Sequence, residues 1–236
     1  MVIQSSRAHV PHTRCHDRKV SFEQELRELL AQDMPNREVV AVTAARHLDM
    51  IVEANRQFNL TRITGEREAA IKHVVDSVMP WRLFADVRQV VDAGSGAGFP
   101  GIPLAIALPS VRFVLSESIG KKARFIQAVV EELKLTNVHV APERAEELLR
   151  RVHADVLTAR AVAPVGRAAP LFARALKQGT RALFYKGPDA QAEIAEAKPE
   201  LQKHQLSASV AFTYDLPDAL GSRTVVEIAA IRPARR

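Results

Sequence analysis

Six residues carry the chemistry that this sequence offers most plainly: Asp92, Gly94, Gly96, Gly98 and Phe99 in the stretch VVDAGSGAGFPGIP at 90–103, and Glu117 at the end of the next apolar run. An apolar run that closes on an acid and opens into glycines reads as strand, tight turn and helix. In open α/β sheets that turn lies beyond the carboxyl ends of the strands, where backbone amides meet a nucleotide. A phosphate-binding loop needs GxxxxGK[ST], with lysine and hydroxyl on phosphate and magnesium. Neither this stretch nor Gly120-Lys121-Lys122 has it. The dinucleotide fingerprint GxGxxG puts its third glycine five positions after the first, where Phe99 stands. GxGxG preceded by Asp92 remains. The acid would repel a pyrophosphate, but it helps organise the loop around a cofactor bearing a cationic amine. Glu117 is placed to accept both hydroxyls of a ribose. NAD enzymes share that feature, so it supports a nucleoside without choosing one.

These residues need a sheet to hold them. From Leu83 onward short apolar runs alternate with helical segments, which predicts a largely parallel sheet with crossover helices. Seven strands are expected near 88–92, 111–116, 137–141, 154–159, 180–185, 207–213 and 224–231. Ile126, Val129, Val130 and Leu133 mark a helix over 121–135. Leu216-Pro217-Asp218 and Gly221-Ser222 read as a loop, so the last two strands should form a closing antiparallel hairpin. Residues 21–82 read as helical throughout. Ser21-Phe22-Glu23-Gln24 is a capping box leading into Leu26, Leu29 and Leu30; a second helix runs over 36–59 with Ala44, Leu48, Ile51 and Val52 on one face; a third, over 66–78, carries Ile71, Val74, Val75 and Val78 until Pro80 stops it. The expected organisation is a disordered basic tail (1–20), a helical extension (21–82) and a sheet domain (83–236).

Of 236 residues, 47% are hydrophobic, 25% charged and 5% aromatic. So few aromatic residues argue against a broad base-stacking platform. The net charge of +6 resides at the ends: Arg7, Arg14, Arg18 and Lys19 against Asp17 give three, and Arg232, Arg235 and Arg236 three more, leaving the body near neutral. Such ends suit electrostatic contact with phosphates or simple solvation. Cys15 is the only cysteine, so no intrachain disulfide forms. His9, His12, Cys15 and His16 cluster in the tail, but no packed element fixes them, and no metal site is expected. No signal peptide or membrane-spanning run is read, so a soluble, cytoplasmic protein is expected.

Asp92 with its three glycines is the D/E-x-G-x-G-x-G arrangement of S-adenosylmethionine-dependent methyltransferases. Further segments appear in order: Asn59-Leu60-Thr61-Arg62-Ile63-Thr64, His73-Val74-Val75-Asp76-Ser77, the DAGSGAGFPGIP loop, Glu117-Ser118-Ile119-Gly120-Lys121-Lys122, Arg144-Ala145-Glu146, Thr158-Ala159-Arg160-Ala161-Val162-Ala163-Pro164 and Lys186-Gly187. Together, over about residues 22–231, the chain resembles the bacterial 16S ribosomal RNA guanine-N7 methyltransferases, known as methyltransferase G or glucose-inhibited division protein B. The resemblance implies a seven-stranded, Rossmann-like class I methyltransferase sheet with an N-terminal helical extension. It also implies methylation of N7 of a guanine in the 530 loop of 16S rRNA, with S-adenosylmethionine as cofactor and the small subunit or its RNA as partner. On matching positions, Gly94 and Phe99 would line the cofactor while Gly96 and Gly98 shape the loop. Glu117 would meet the ribose, Ala145 and Glu146 the adenine end, and Arg160 the junction of cofactor and substrate.

Guanine N7 has a lone pair and no proton, so no general base is needed, and no Cys, His or Tyr stands out as one. Arg160 and Lys186, at carboxyl ends of strands, fit as positioning groups for guanine O6, phosphate or the cofactor carboxylate; either also fits a salt bridge at the sheet edge. His73 and Asp76, one helical turn apart, fit a pocket lid or a hydrogen-bond network joining helix to sheet, and Arg144 and Arg223 are candidates for an RNA face. A monomer is expected. Two other classes are weighed: a ribosome-assembly RNA-binding protein of the same fold without catalysis, against which the intact loop and Glu117 count, and an NAD-dependent oxidoreductase, against which Phe99 counts.

Overall fold

The computed structural model describes residues 21–56, 60, 63, 65–161 and 163–231. The basic tail, the last five residues, Val162 and part of the Asn59–Thr64 motif lie outside the described residues.

Helices α1 (Phe22–Leu29) and α2 (Arg37–Asn55) open the described chain. The third helix is a composite of α3 (Glu66–Ala69), a π-helical segment (Ala70–Val75) and α4 (Asp76–Val78). There follow β1 (Gln89–Ala93), α5 (Gly101–Ala107), β2 (Arg112–Ser116), α6 (Gly120–Glu132), β3 (Val138–Ala141), α7 (Ala145–Leu148), β4 (Val156–Arg160), α8 (Val165–Lys177), β5 (Arg181–Lys186), α9 (Ala190–Lys203), β6 (Leu206–Asp215) and β7 (Ser222–Ala230). The seven strands form one sheet in the order β3-β2-β1-β4-β5-β7-β6. The first five are parallel, and β7 inserts antiparallel between β5 and β6. The expected sheet and closing hairpin are both present.

Alternation along the strands builds two cores, because successive side chains leave opposite faces of a sheet. Val90, Phe113, Leu115, Val156 and Leu183 face the helices of the extension, α5 and α6. Val91, Val114, Leu157, Ala182 and Phe184 face α7, α8 and α9.

Ser21 caps α1 as expected, its hydroxyl accepting the Gln24 N–H at 3.3 Å. In α2 the inward face is Val40, Ala41, Ala44, His47, Leu48 and Ile51, whereas Val52 is 43% exposed and does not belong to it. The third helix is not regular. Its π-helical segment sends the Asp76 N–H to the Ile71 carbonyl, five residues back. Such wide turns recur at functional sites, and this one lies against the end of β4.

Candidate active site

The carboxyl ends of β1 and β2 build one wall of the site. After Ala93 the Gly94 and Ser95 N–H groups donate to the Ser116 carbonyl at 2.8 and 3.2 Å, crossing to the neighbouring strand. Gly94 and Gly96 hold φ of 69° and 63°, a region that a side chain strains. A Cβ added to Gly94 would meet nothing within 4 Å, so the backbone here faces open space. Glu117 is 5% exposed. Its Oε2 accepts the Gly96 N–H at 3.0 Å and its Oε1 the Ile119 N–H at 2.8 Å. Each oxygen keeps a second lone pair, so the carboxylate braces the loop and can still accept from a diol.

Asp92 acts from behind the loop. It is fully buried; Oδ2 accepts the Gly101 N–H at 3.0 Å, and Oδ1 has no hydrogen-bond partner among the described residues. Burial pushes its pKa up to about 7, against the pull of the nearby Ser95 hydroxyl, the Gly101 amide and the Arg160 charge. Gly101 is required for this approach: a Cβ there would stand 2.2 Å from Leu115 Cδ2 and 2.8 Å from Asp92 Oδ2. Gly101→Ala is therefore expected to lower unfolding free energy by about 1–3 kcal/mol through overpacking. Urea denaturation measures it, and a change within error would contradict this packing.

A cavity of about 200 Å³ opens beside the loop, lined by Ala93, Gly94, Ser116, Glu143, Ala145 and Leu171 among others. Ser116 Oγ donates to the Glu143 carbonyl at 2.6 Å, joining the loops after β2 and β3 across its floor. Ala145 and Glu146 stand on its wall with Arg144, which is exposed and 3.7 Å from Glu146. A backbone free of Cβ atoms, a buried acid with spare lone pairs and a small apolar slot suit a nucleoside bearing a cation.

Phe99 does not line this cavity. Its ring is buried between His47 and His73, with centroids at 4.8 and 4.7 Å. The Arg160 guanidinium lies 5.2 Å over the same ring. Arg160 ends β4, donates from Nη1 to the Lys72 carbonyl at 2.7 Å and to Asp76 Oδ2 at 3.2 Å, and sets Nη2 3.5 Å from His73 Nδ1. Burial, then the Arg160 charge, hold the His73 pKa down to about 3, so the imidazole is neutral and can accept from arginine.

His73 and Asp76 are thus in the buried join between extension and sheet rather than on a surface. Asp76 is 4% exposed and accepts the Tyr214 hydroxyl at 2.8 Å on Oδ1. Arg223, expected on an RNA face, turns inward to within 3.7 Å of that oxygen. Burial, then the Asp76 charge, push the Tyr214 phenol far above its ordinary range. Tyr185 adds a bond to the Ser77 carbonyl at 2.7 Å. Lys186 likewise has a structural post: its amine sits 2.7 Å from Glu193 and donates to the Ala163 carbonyl at 3.0 Å, while Glu193 also takes the Val165 N–H. It secures the loop after β4 instead of projecting into open space. The reading of the sequence missed His47, whose one signal was a histidine among the apolar positions of α2.

The strand order and loop define a class. Solved methyltransferases share the fold: the O-methyltransferase TomG from Streptomyces achromogenes in complex with SAM superposes with a TM-score of 0.53 at 15% identity, covering 79% of this chain and 90% of that one. An O-methyltransferase from Bacillus cereus in complex with SAH gives 0.53 at 16%, covering 78% and 90%. The chain has the Rossmann-like class I methyltransferase fold.

Residues 42–216 match the family model described as rRNA small subunit methyltransferase G. Ribosomal RNA small subunit methyltransferase G of Solibacter usitatus is 58% identical over 209 residues, 89% of this chain and all of that protein. The same-named protein of Carboxydothermus hydrogenoformans is 38% identical over 187 residues, 77% of this chain and 79% of that one. The chain belongs to the ribosomal RNA small subunit methyltransferase G family.

Proposed function

We propose that this protein transfers a methyl group from S-adenosylmethionine to N7 of a guanine in the 530 loop of 16S rRNA, within the small subunit or its precursor. The observation that carries the cofactor half is the pairing of the Asp92 loop with Glu117 beside an open cavity. Family membership carries the RNA half.

S-adenosylmethionine supplies an electrophilic methyl group on a sulfonium: the N7 lone pair forms the new N–C bond while the C–S pair returns to sulfur. The protein removes no proton in this step, in keeping with neutral, stacked His47 and His73. Its residues bind and aim. Glu117 accepts the ribose hydroxyls, the backbone at Gly94 and Gly96 approaches the amino-acid half, and Ala145 with Glu146 borders the adenine end. The Asp92 carboxylate, when ionised, favours a cationic amine nearby. Arg160 does not offset the positive charge of the product purine; its role at the junction of cofactor and guanine, gripping an acceptor oxygen, follows from the matching family segment, and its position at the end of β4 supports it. Holding nucleophile and methyl in line supplies most of the acceleration.

The test is methyl transfer from labelled S-adenosylmethionine to small subunits and RNA lacking the modification, followed by strand scission at N7-methylguanine. Wild type should give one cleavage in the 530 loop. Arg160→Ala should lower the rate at least about tenfold through misplacement, with its melting temperature recorded alongside. Labelling at another atom or site would overturn the acceptor assignment.

A further inference from the structure

One fully buried polar side chain has no part in the chemistry above. His47, on α2, donates from Nε2 to the Ala97 carbonyl at 2.8 Å and stacks on Phe99. A Cβ on Gly98 would come within 3.3 Å of its Cε1. Three consecutive residues of the glycine loop therefore rest against one imidazole. In a regular helical turn the Gly101 N–H would take the Ala97 carbonyl, but Asp92 holds that N–H instead. Asp92 and His47 thus hold the two groups that this missing bond would have paired. His47 Nδ1 has no hydrogen-bond partner among the described residues. A phenylalanine would fill the same space without the penalty of an orphaned buried nitrogen. What the imidazole adds is the bond to Ala97.

We propose that His47 is a positioning residue for the cofactor: by holding the Ala97 carbonyl and the Phe99 ring it keeps the loop in the conformation that receives S-adenosylmethionine. The helical extension thereby belongs to the cofactor site, although none of its described residues is among those lining the cavity. This inference rests on the reading that the loop binds that cofactor.

The experiment measures S-adenosylhomocysteine affinity and methylation kinetics on the full chain. His47→Phe keeps the stack and loses the donor. His47→Gln loses the ring but can carry an amide N–H to the same place. Leu26→Ala is the control, removing a fully buried side chain from the same helical layer. His47→Phe should bind about tenfold more weakly, the equivalent of about one well-made hydrogen bond, with kcat at saturating cofactor near wild type. His47→Gln should recover most of the affinity. Leu26→Ala should lower the melting temperature and leave affinity unchanged. Unaltered affinity in His47→Phe, or affinity losses that follow melting temperature through all three variants, would overturn the proposal.

A measurement on wild type does not depend on a variant folding. On saturation with S-adenosylhomocysteine the imidazole resonances of His47 should shift, while those of exposed His139 stay fixed. Unmoved His47 resonances in protein that binds would overturn the inference alone. Failure of wild type to bind would overturn the cofactor reading as well.

Discussion

Replacing Asp76 by alanine is expected to remove about 3–5 kcal/mol of folding stability, the usual consequence of breaking a buried ion pair from one side. Arg160 would keep the Lys72 carbonyl but lose its carboxylate, at a position where its side chain is only 18% exposed. The Tyr214 hydroxyl would lose one acceptor and keep the Asp76 carbonyl at 2.9 Å. Arg223 would lose the carboxylate 3.7 Å from its Nε. Tyr214→Phe, which removes the one hydroxyl proton shared between the Asp76 carbonyl and Oδ1 and leaves the Arg160 pair intact, should cost only about 1 kcal/mol. Urea denaturation of both variants provides the comparison. A loss below about 1 kcal/mol for Asp76→Ala would mean that the join is held by its apolar contacts and that the charges contribute little.

The second large effect is a dependence of stability on pH that Asp92 imposes. Its folded-state pKa is raised to about 7 by burial, while an unfolded aspartate titrates near its ordinary 3.8. Below about pH 4 both states are protonated and Asp92 has no influence. Between about pH 4 and 7 the unfolded chain has released the proton and the native state still holds it, so stability falls as pH rises. Above about pH 7 both are ionised and the loss is complete, on the order of 4 kcal/mol for a shift of this size. Asp92→Asn keeps an oxygen for the Gly101 N–H and cannot ionise. Its stability relative to wild type should therefore climb between pH 4.5 and 8 in denaturant titrations at stepped pH. A constant difference across that range would place the carboxyl pKa outside it.

The sheet was readable because its strands are short apolar runs punctuated by turn residues, and all seven expected strands begin and end within two residues of the observed ones. The fourth, expected over 154–159, is β4 at Val156–Arg160, late at its start by the same margin. The loop was readable because glycines with positive φ and an acid at a strand end are local signals. Asp76 was harder. Its partners Tyr214 and Arg223 lie more than 130 residues along the chain, and nothing near residue 76 announces them. Phe99 was carried over as a cofactor contact, but which way its ring turns depends on His47 and His73, from two helices that come together only in the fold. Lys186 faced a similar ambiguity: the end of β5 gives a position, and only Glu193 on the next helix decides what the amine does. The π-helical turn left no mark in a sequence whose apolar spacing is that of an ordinary helix.

The placement of β7 bears on how the chain reaches this structure. Among the described residues β6 pairs with no strand except β7, and β7 joins β6 to β5. β6 must therefore wait for a strand that follows it before it can enter the sheet. Polar ties of the extension wait with it, because Arg67 bonds to Asp218 at 2.5 Å and Asp76 to Tyr214, both on this late-made hairpin. Asp76 and Tyr214 are 138 residues apart. At about 5–20 residues per second of synthesis, the extension spends on the order of ten seconds outside the ribosome before its polar partners exist. Its apolar face meets α5 much earlier in synthesis, so what the hairpin adds last is a polar seal over a join whose apolar half already exists.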